Sequence, residues 1–235
     1  MSVARAPDGW DYAGMLGALR ARRRFAYTRY CDGEWNAIFG RVGKNCDGHT
    51  YFPDMGRALL EAFRPEPAAG YHVGLLASLL REGRWWASGR TIALERERPL
   101  GSWCDAMILH RAGMRGELGR FFEALRGRPL AVVGNRHLAK MRPWLGGGFD
   151  HIVVPERDCW GVRERVLPEI LRAARSPGVV LLACSMPARV WIRRAWEAGG
   201  EASLIDVGAV FDPYVGIMSR GYMREGRFVL AERLF

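Results

Sequence analysis

Two carboxylates one residue apart, Asp32 and Glu34, fall within the stretch Arg29-Tyr30-Cys31-Asp32-Gly33-Glu34-Trp35. A pair of this kind on a glycine-hinged turn can hold a divalent cation. Mg²⁺ and Mn²⁺ take oxygen ligands and share their shell between a few carboxylates, waters and substrate phosphates. The chemistry indicated is therefore the handling of a phosphate-bearing donor. A structural role competes with this one: Asp32 as the cap of a helix and Glu34 in its first turn, where negative charge offsets the helix dipole.

Three other places set small or polar residues at the ends of apolar runs: Gly134-Asn135, Ser185-Met186 and Asp206-Val207-Gly208. Gly134 would let a ligand approach the backbone, and Asn135 offers a donor and an acceptor to a base or ribose. Asp206 suits a ribose, a cation or a simple turn. None of these segments is a G-x-G-x-x-G fingerprint, which argues against an NAD-type cofactor, and no glycine-rich phosphate loop supports phosphoryl transfer. Downstream, residues 211–222 mix aromatic, polar and glycine residues, with Asp212, Tyr214 and Arg220 among them, in the manner of a binding loop. Residues 44–53 form a second such cluster carrying Asn45, Asp47 and His49, for which a turn on Asp47-Gly48 is the plain alternative. Cys46 and His49 make a C-x-x-H, but a structural zinc site takes four ligands and no second pair follows. Trp160 and Trp85-Trp86 are the candidate stacking platforms, although most of the nine tryptophans belong in a core of this size. His72, His110, His137 and His151 have no partner pattern and read as structural.

The elements that must position these groups are strands alternating with helices. Apolar runs predict strands over 25–30, 71–75, 129–133, 151–154, 179–184 and 202–207. Helical spacing and capping predict helices over 12–22, 55–63, 102–125 with a break near Gly113 or Gly116, 138–144, 162–174 and 187–197, the last opened by Pro187. The fold class expected is α/β: a single domain, 1–235, on a Rossmann-like, mostly parallel sheet flanked by helices. Its first part, about 1–128, is irregular and its second, about 129–235, regular. The carboxylate pair falls at a strand-to-helix junction, the edge at which open α/β sheets bind ligands. Arg22-Arg23-Arg24 reads as a solvated helix end, and Gly146-Gly147-Gly148 as a flexible turn.

With 235 residues and 49% apolar content the chain can bury a substantial core. Its apolar runs are far shorter than the ~20 residues of a membrane helix, and no signal-peptide pattern opens it. A cytoplasmic protein without membrane insertion or an obligate protein partner is expected, and the five scattered cysteines fit reduced thiols. The 35 Lys and Arg outnumber the 25 Asp and Glu, and nearly all are arginine. Guanidinium binds phosphate oxygens in pairs, so the net +10 fits a polyanionic partner, while a GC-rich genome would produce the same bias without one.

Taken together and in order, these motifs resemble glycosyltransferases of the GT-D fold. That family carries an R-x-G-D-G-E-like segment with a D-x-E pair and, later, an I-D-x-G segment followed by Asp-x-x-Tyr. Arg29 to Glu34 match the first, with Cys31 in place of a frequent glycine; Ile205-Asp206-Val207-Gly208 and Asp212-Pro213-Tyr214 match the second. The resemblance implies transfer of a sugar from a nucleotide-sugar, with UDP the expected nucleotide, aided by Mn²⁺ or Mg²⁺. It assigns Asp32 and Glu34 to the metal and to catalysis. Arg29, Gly33, Gly134, Asn135, Ser185, Asp206, Gly208 and Arg220 go to the donor, and Asn45, Asp47, His49, Trp160, Asp212 and Tyr214 to the acceptor. With the basic charge, the acceptor indicated is a hydroxymethylated pyrimidine in DNA; a glycan or protein acceptor, or a non-catalytic nucleic-acid-binding module on the same scaffold, are the alternatives. Acceptor binding that weakens steeply with salt would favour DNA, and a salt-insensitive affinity a glycan.

Overall fold

The computed structural model describes residues 10–63, 69–76 and 103–231. Seven strands, β1 (Ala26–Tyr30), β2 (Tyr71–Leu75), β3 (Cys104–Asp105), β4 (Leu130–Gly134), β5 (Asp150–Val153), β6 (Val179–Ala183) and β7 (Ser203–Asp206), join in one sheet of order β3-β2-β1-β7-β6-β4-β5. Every pairing is parallel. The sheet is thus wholly parallel, and both halves of the chain build it. The irregular first half contributes β1 to β3, and its β1 meets β7 in register at Ala26 with Leu204.

Parallel strands covered on both faces read as continuous apolar runs, which is why they were legible. Side-chain alternation assigns the faces. Tyr27, Val132, Leu181 and Ile205 pack on one side with α1 (Tyr12–Arg20), α4 (Ile108–Met114) and α5 (Leu118–Leu125). Ala26, Tyr30, Val133, Leu182 and Leu204 pack on the other with α2 (Asp32–Ile38), α6 (Arg163–Ala174) and α7 (Pro187–Glu197). A fourth helix on that side, α3 (Pro53–Ala62), buries Met55 and Leu59 beside Val190.

Two predicted helices differ from the structure. The stretch expected as a helix from Ser102 instead holds β3, and helices resume at α4 and α5 with the break at residues 115–117. The segment after β4 is a 3-10 helix, Arg136–Met141, opened by the Asn135 side chain accepting from the His137 N–H at 3.0 Å. Trp85, Trp86 and Ser102 lie outside the described residues. Among the described residues no helix is long and apolar enough to cross a membrane.

Candidate active site

The turns after β1, β4, β6 and β7 open on one edge of the sheet and surround a cleft of about 260 Å³. Of the residues singled out in the sequence, Arg29, Asp32, Gly33, Glu34, Asn45, Asp47, His49, Asn135, Ser185, Gly208, Asp212 and Arg220 all line it. The turn after β1 shows what the D-x-E spacing does locally. Cys31 is the N-cap of α2, so Asp32 is the first helical residue and Glu34 the third. Glu34 Oε2 accepts the Cys31 N–H at 2.7 Å, closing a capping box. Gly33 lets the Asn45 side chain lie close over the turn, since a Cβ would meet the Asn45 amide at 2.8 Å and push it aside.

The two carboxylates have different surroundings. Asp32 is exposed in the cleft and forms no ion pair among the described residues. Glu34 is 3% exposed, and its other oxygen, Oε1, lies 3.1 Å from Arg189 Nη2. Burial raises the Glu34 pKa, partly offset by Arg189 and by the Cys31 N–H. With both oxygens engaged, one by a cation, Glu34 does not fit a metal shell shared with Asp32. No group of three His, Cys, Asp or Glu side chains among the described residues has the arrangement of a metal site. The donor set does fit a cation held by the one carboxylate of Asp32 and completed by phosphate oxygens of a substrate, a frequent arrangement for Mg²⁺.

Beneath the cleft lies a buried charge network that sequence reasoning missed. Arg189, 3% exposed, reaches Asp206 Oδ2 at 3.2 Å as well as Glu34, and donates to the carbonyls of Ser185, at 2.6 Å, and Arg29. Arg29 lies 3.7 Å from Asp206 through Nε and 2.7 Å from His110 Nδ1 through Nη1. Burial is the largest influence and disfavours the Arg29 cation, but Asp206 and the smaller contributions of its neighbours, Glu34 among them, together more than offset it and keep the guanidinium charged. Burial, and then the Arg29 charge, push the His110 pKa well down, so its ring is neutral and can accept. Gly208 completes this corner: it adopts φ of +54°, and a Cβ there would lie 2.6 Å from Arg29 Nη1. The sequence signal for Arg189 was slight, an arginine inside the apolar first turn of α7.

Four expected site residues are placed elsewhere. Asp206 is fully buried below the lining, where it accepts the Gly208 N–H at 2.9 Å and anchors the two arginines. Gly134 is covered, since a Cβ would meet Leu138 at 2.3 Å, so the backbone there is closed to a ligand by the turn that follows. Trp160 is buried against α3, its indole N–H bound to Asp54 at 2.9 Å, and does not present a stacking face to the cleft. Tyr214 is a core residue packed against Trp144 and Phe122, its hydroxyl accepting the Ala231 N–H at 3.0 Å. Conversely, Arg189, Ser219 and Tyr222 line the cleft without having been named as site residues, as do His110, read from the sequence as structural, and Cys46, weighed there as half of a zinc pair.

No family model and no curated protein matches the sequence. Solved structures do match the fold. One, described as "The highly conserved domain of unknown function 1792 has a distinct glycosyltransferase fold", is 13% identical over 95% of this chain and 83% of that one, with a TM-score of 0.65. Another, "A New Glycosyltransferase (DUF1792) from Streptococcus sanguinis", is 13% identical over 96% of this chain and 94% of that one, with a TM-score of 0.66. The chain therefore has the α/β fold of those proteins, its cleft at the carboxyl edge of a wholly parallel sheet.

Proposed function

We propose that the protein is a glycosyltransferase that moves a sugar from a nucleotide-sugar, with UDP as the nucleotide, to an acceptor hydroxyl. The observation that carries this is the cleft itself. On a glycosyltransferase fold, it brings together an exposed carboxylate at Asp32, the guanidinium of Arg220, the hydroxyl of Ser185 and the amide of Asn135. In such a transfer the acceptor oxygen bonds to the anomeric carbon while the bond from that carbon to the diphosphate breaks. Negative charge grows on the leaving phosphate oxygens, and fixed donors aimed at that charge lower the barrier. Arg220 and Ser185 are such donors. Asp32 is the carboxylate placed to take the acceptor proton or to hold a divalent cation, which when bound would neutralise part of the diphosphate charge. Glu34 acts at one remove, fixing the helix start and Arg189. The net +10 supports a polyanionic acceptor, and we read it as DNA carrying hydroxymethylated pyrimidines.

The test is a thermal-melt panel of UDP-, GDP- and dTDP-sugars with and without Mn²⁺. A ligand bound only by the folded state at 100 times its Kd adds about 2.7 kcal/mol, a rise of several degrees in Tm for a chain of this size. One nucleotide class is expected to give that rise, and more of it with Mn²⁺. A panel in which no nucleotide-sugar moves the Tm would remove the reading.

A further inference from the structure

One corner of the cleft receives an anion, and the protein fills it with a carboxylate of its own. Ser185, between β6 and α7, has φ of +57°, a left-handed backbone uncommon in a residue with a side chain. From that turn its hydroxyl donates to Asp47 Oδ2 at 2.8 Å. Arg220 Nη2 approaches the same oxygen at 3.4 Å, while its Nη1 donates to Cys46 Sγ at 3.1 Å. A hydroxyl and a guanidinium from separate elements thus converge on a single anionic oxygen, as they would on an oxygen of a phosphate.

Among the described residues, the other two arginines lining the cleft have partners in the framework: Arg29 has Asp206 and His110, and Arg189 has Glu34 and Asp206. Arg220 differs, because its carboxylate comes from a surface loop. That loop, residues 44–50, is closed by a bridge between Lys44 and Thr50 and docks on its surroundings at several points. The Asn45 side chain covers Gly33, the Arg157 side chain lies against Gly48, and the Thr50 N–H donates to Asp158 at 2.7 Å. Burial alone would raise the Asp47 pKa, but His49, the Ser185 hydroxyl and Arg220 together bring it below the usual range, so the carboxylate is charged at neutral pH.

We propose that Ser185 and Arg220 form a subsite for the diphosphate of the donor, and that Asp47 is an internal competitor which the diphosphate displaces. This rests on the glycosyl-transfer reading and moves Asp47 from the acceptor side of the site to the donor side. Displacement puts the phosphate charge where the carboxylate charge was, and Asp47 then faces the incoming phosphate as a like charge unless its loop shifts. Asp47 accordingly limits donor affinity, and donor binding is coupled to the position of residues 44–50.

The test is calorimetric titration of UDP, GDP, dTDP and inorganic pyrophosphate into the wild-type protein, Asp47→Asn and Arg220→Gln, with Asp47→Ser as a second neutral variant should the asparagine protein not fold. Asn retains an oxygen to accept from Ser185 and loses only the charge. The variant is expected to bind the preferred nucleoside diphosphate, and pyrophosphate, about tenfold more tightly, and Arg220→Gln about tenfold more weakly. Wild-type binding of a diphosphate with no tightening in either Asp47 variant would overturn the competitor and leave the glycosyl-transfer reading standing. Tightening for a nucleotide but not for pyrophosphate would also overturn it, since Asp47 would then oppose the nucleoside. Absence of diphosphate binding in all the proteins would overturn both.

Discussion

Replacing Arg189 by methionine is expected to destabilise the protein by about 3–5 kcal/mol, because it leaves the buried Glu34 carboxylate without its ion-pair partner and Asp206 with Arg29 as its one cation among the described residues. Arg189 stands 3.1 Å from Glu34 and 3.2 Å from Asp206, both carboxylates almost completely shielded from water. It also ties the turn before α7 to the end of β1 through the carbonyls of Ser185 and Arg29. Methionine matches the stem of arginine and fills much of its volume, so the loss is of charge and donors more than of packing. The pH dependence separates this cause from a packing defect. Without the cation the folded-state pKa of Glu34, already raised by burial, rises further, while its unfolded value stays ordinary. A folded state that binds protons more tightly than the unfolded chain gains stability as pH falls, so the deficit should shrink from pH 8 to pH 5. Denaturant melts of wild type and Arg189→Met across that range check it. A deficit below about 1 kcal/mol, or one independent of pH, would show that the network is not the buried ionic unit described.

Asp32→Asn is expected to lower turnover by about 10²–10⁴-fold while leaving the fold intact. The side chain is exposed, and its place at the first position of α2 contributes only the few tenths to about 1 kcal/mol of a charge near a helix N-terminus. Asparagine keeps the shape but can neither accept a proton at neutral pH nor offer a full negative charge to a cation. Both chemical roles open to Asp32 are thus lost together. The measurement is release of nucleoside diphosphate under saturating donor, with the Tm recorded on the same sample. A variant that keeps more than about a tenth of wild-type turnover would exclude Asp32 from the chemistry.

The strands were legible because burial on both faces leaves little but apolar residues between turn signals, as in Val179 to Ala183. Pro187 marked the start of α7 through its missing N–H. The two-residue strand Cys104–Asp105 had no such mark: it is too short to show a period, and its neighbours suit a helix. Twelve of the candidate site residues came together because strand ends were recognisable and a parallel sheet gathers them on one edge. What could not be read was direction and depth. The spacing of Asp32 and Glu34 does not say that one side chain faces solvent and the other turns back to the Cys31 N–H. Arg189 looked like one more cation on an amphipathic helix, since its partners Glu34 and Asp206 are remote in sequence and meet it only once the sheet has closed. Aromatic character misled at Trp160 and Tyr214, where hydrogen bonds to Asp54 and to the Ala231 N–H accommodate the polar ends within the core.

The seam between β1 and β7 has a consequence for how the molecule is made. Ala26 and Tyr27 leave the ribosome long before their partners Leu204 and Ile205 have been synthesised. Until Ser203–Asp206 emerges, β1 and β6 each keep a bare backbone edge, and Arg29 and Arg189 both await Asp206. The nascent chain therefore passes through an interval with its middle unsealed, a state prone to pairing with other chains, and the emergence of Ser203–Asp206 rather than growth from the amino end commits it to the native sheet.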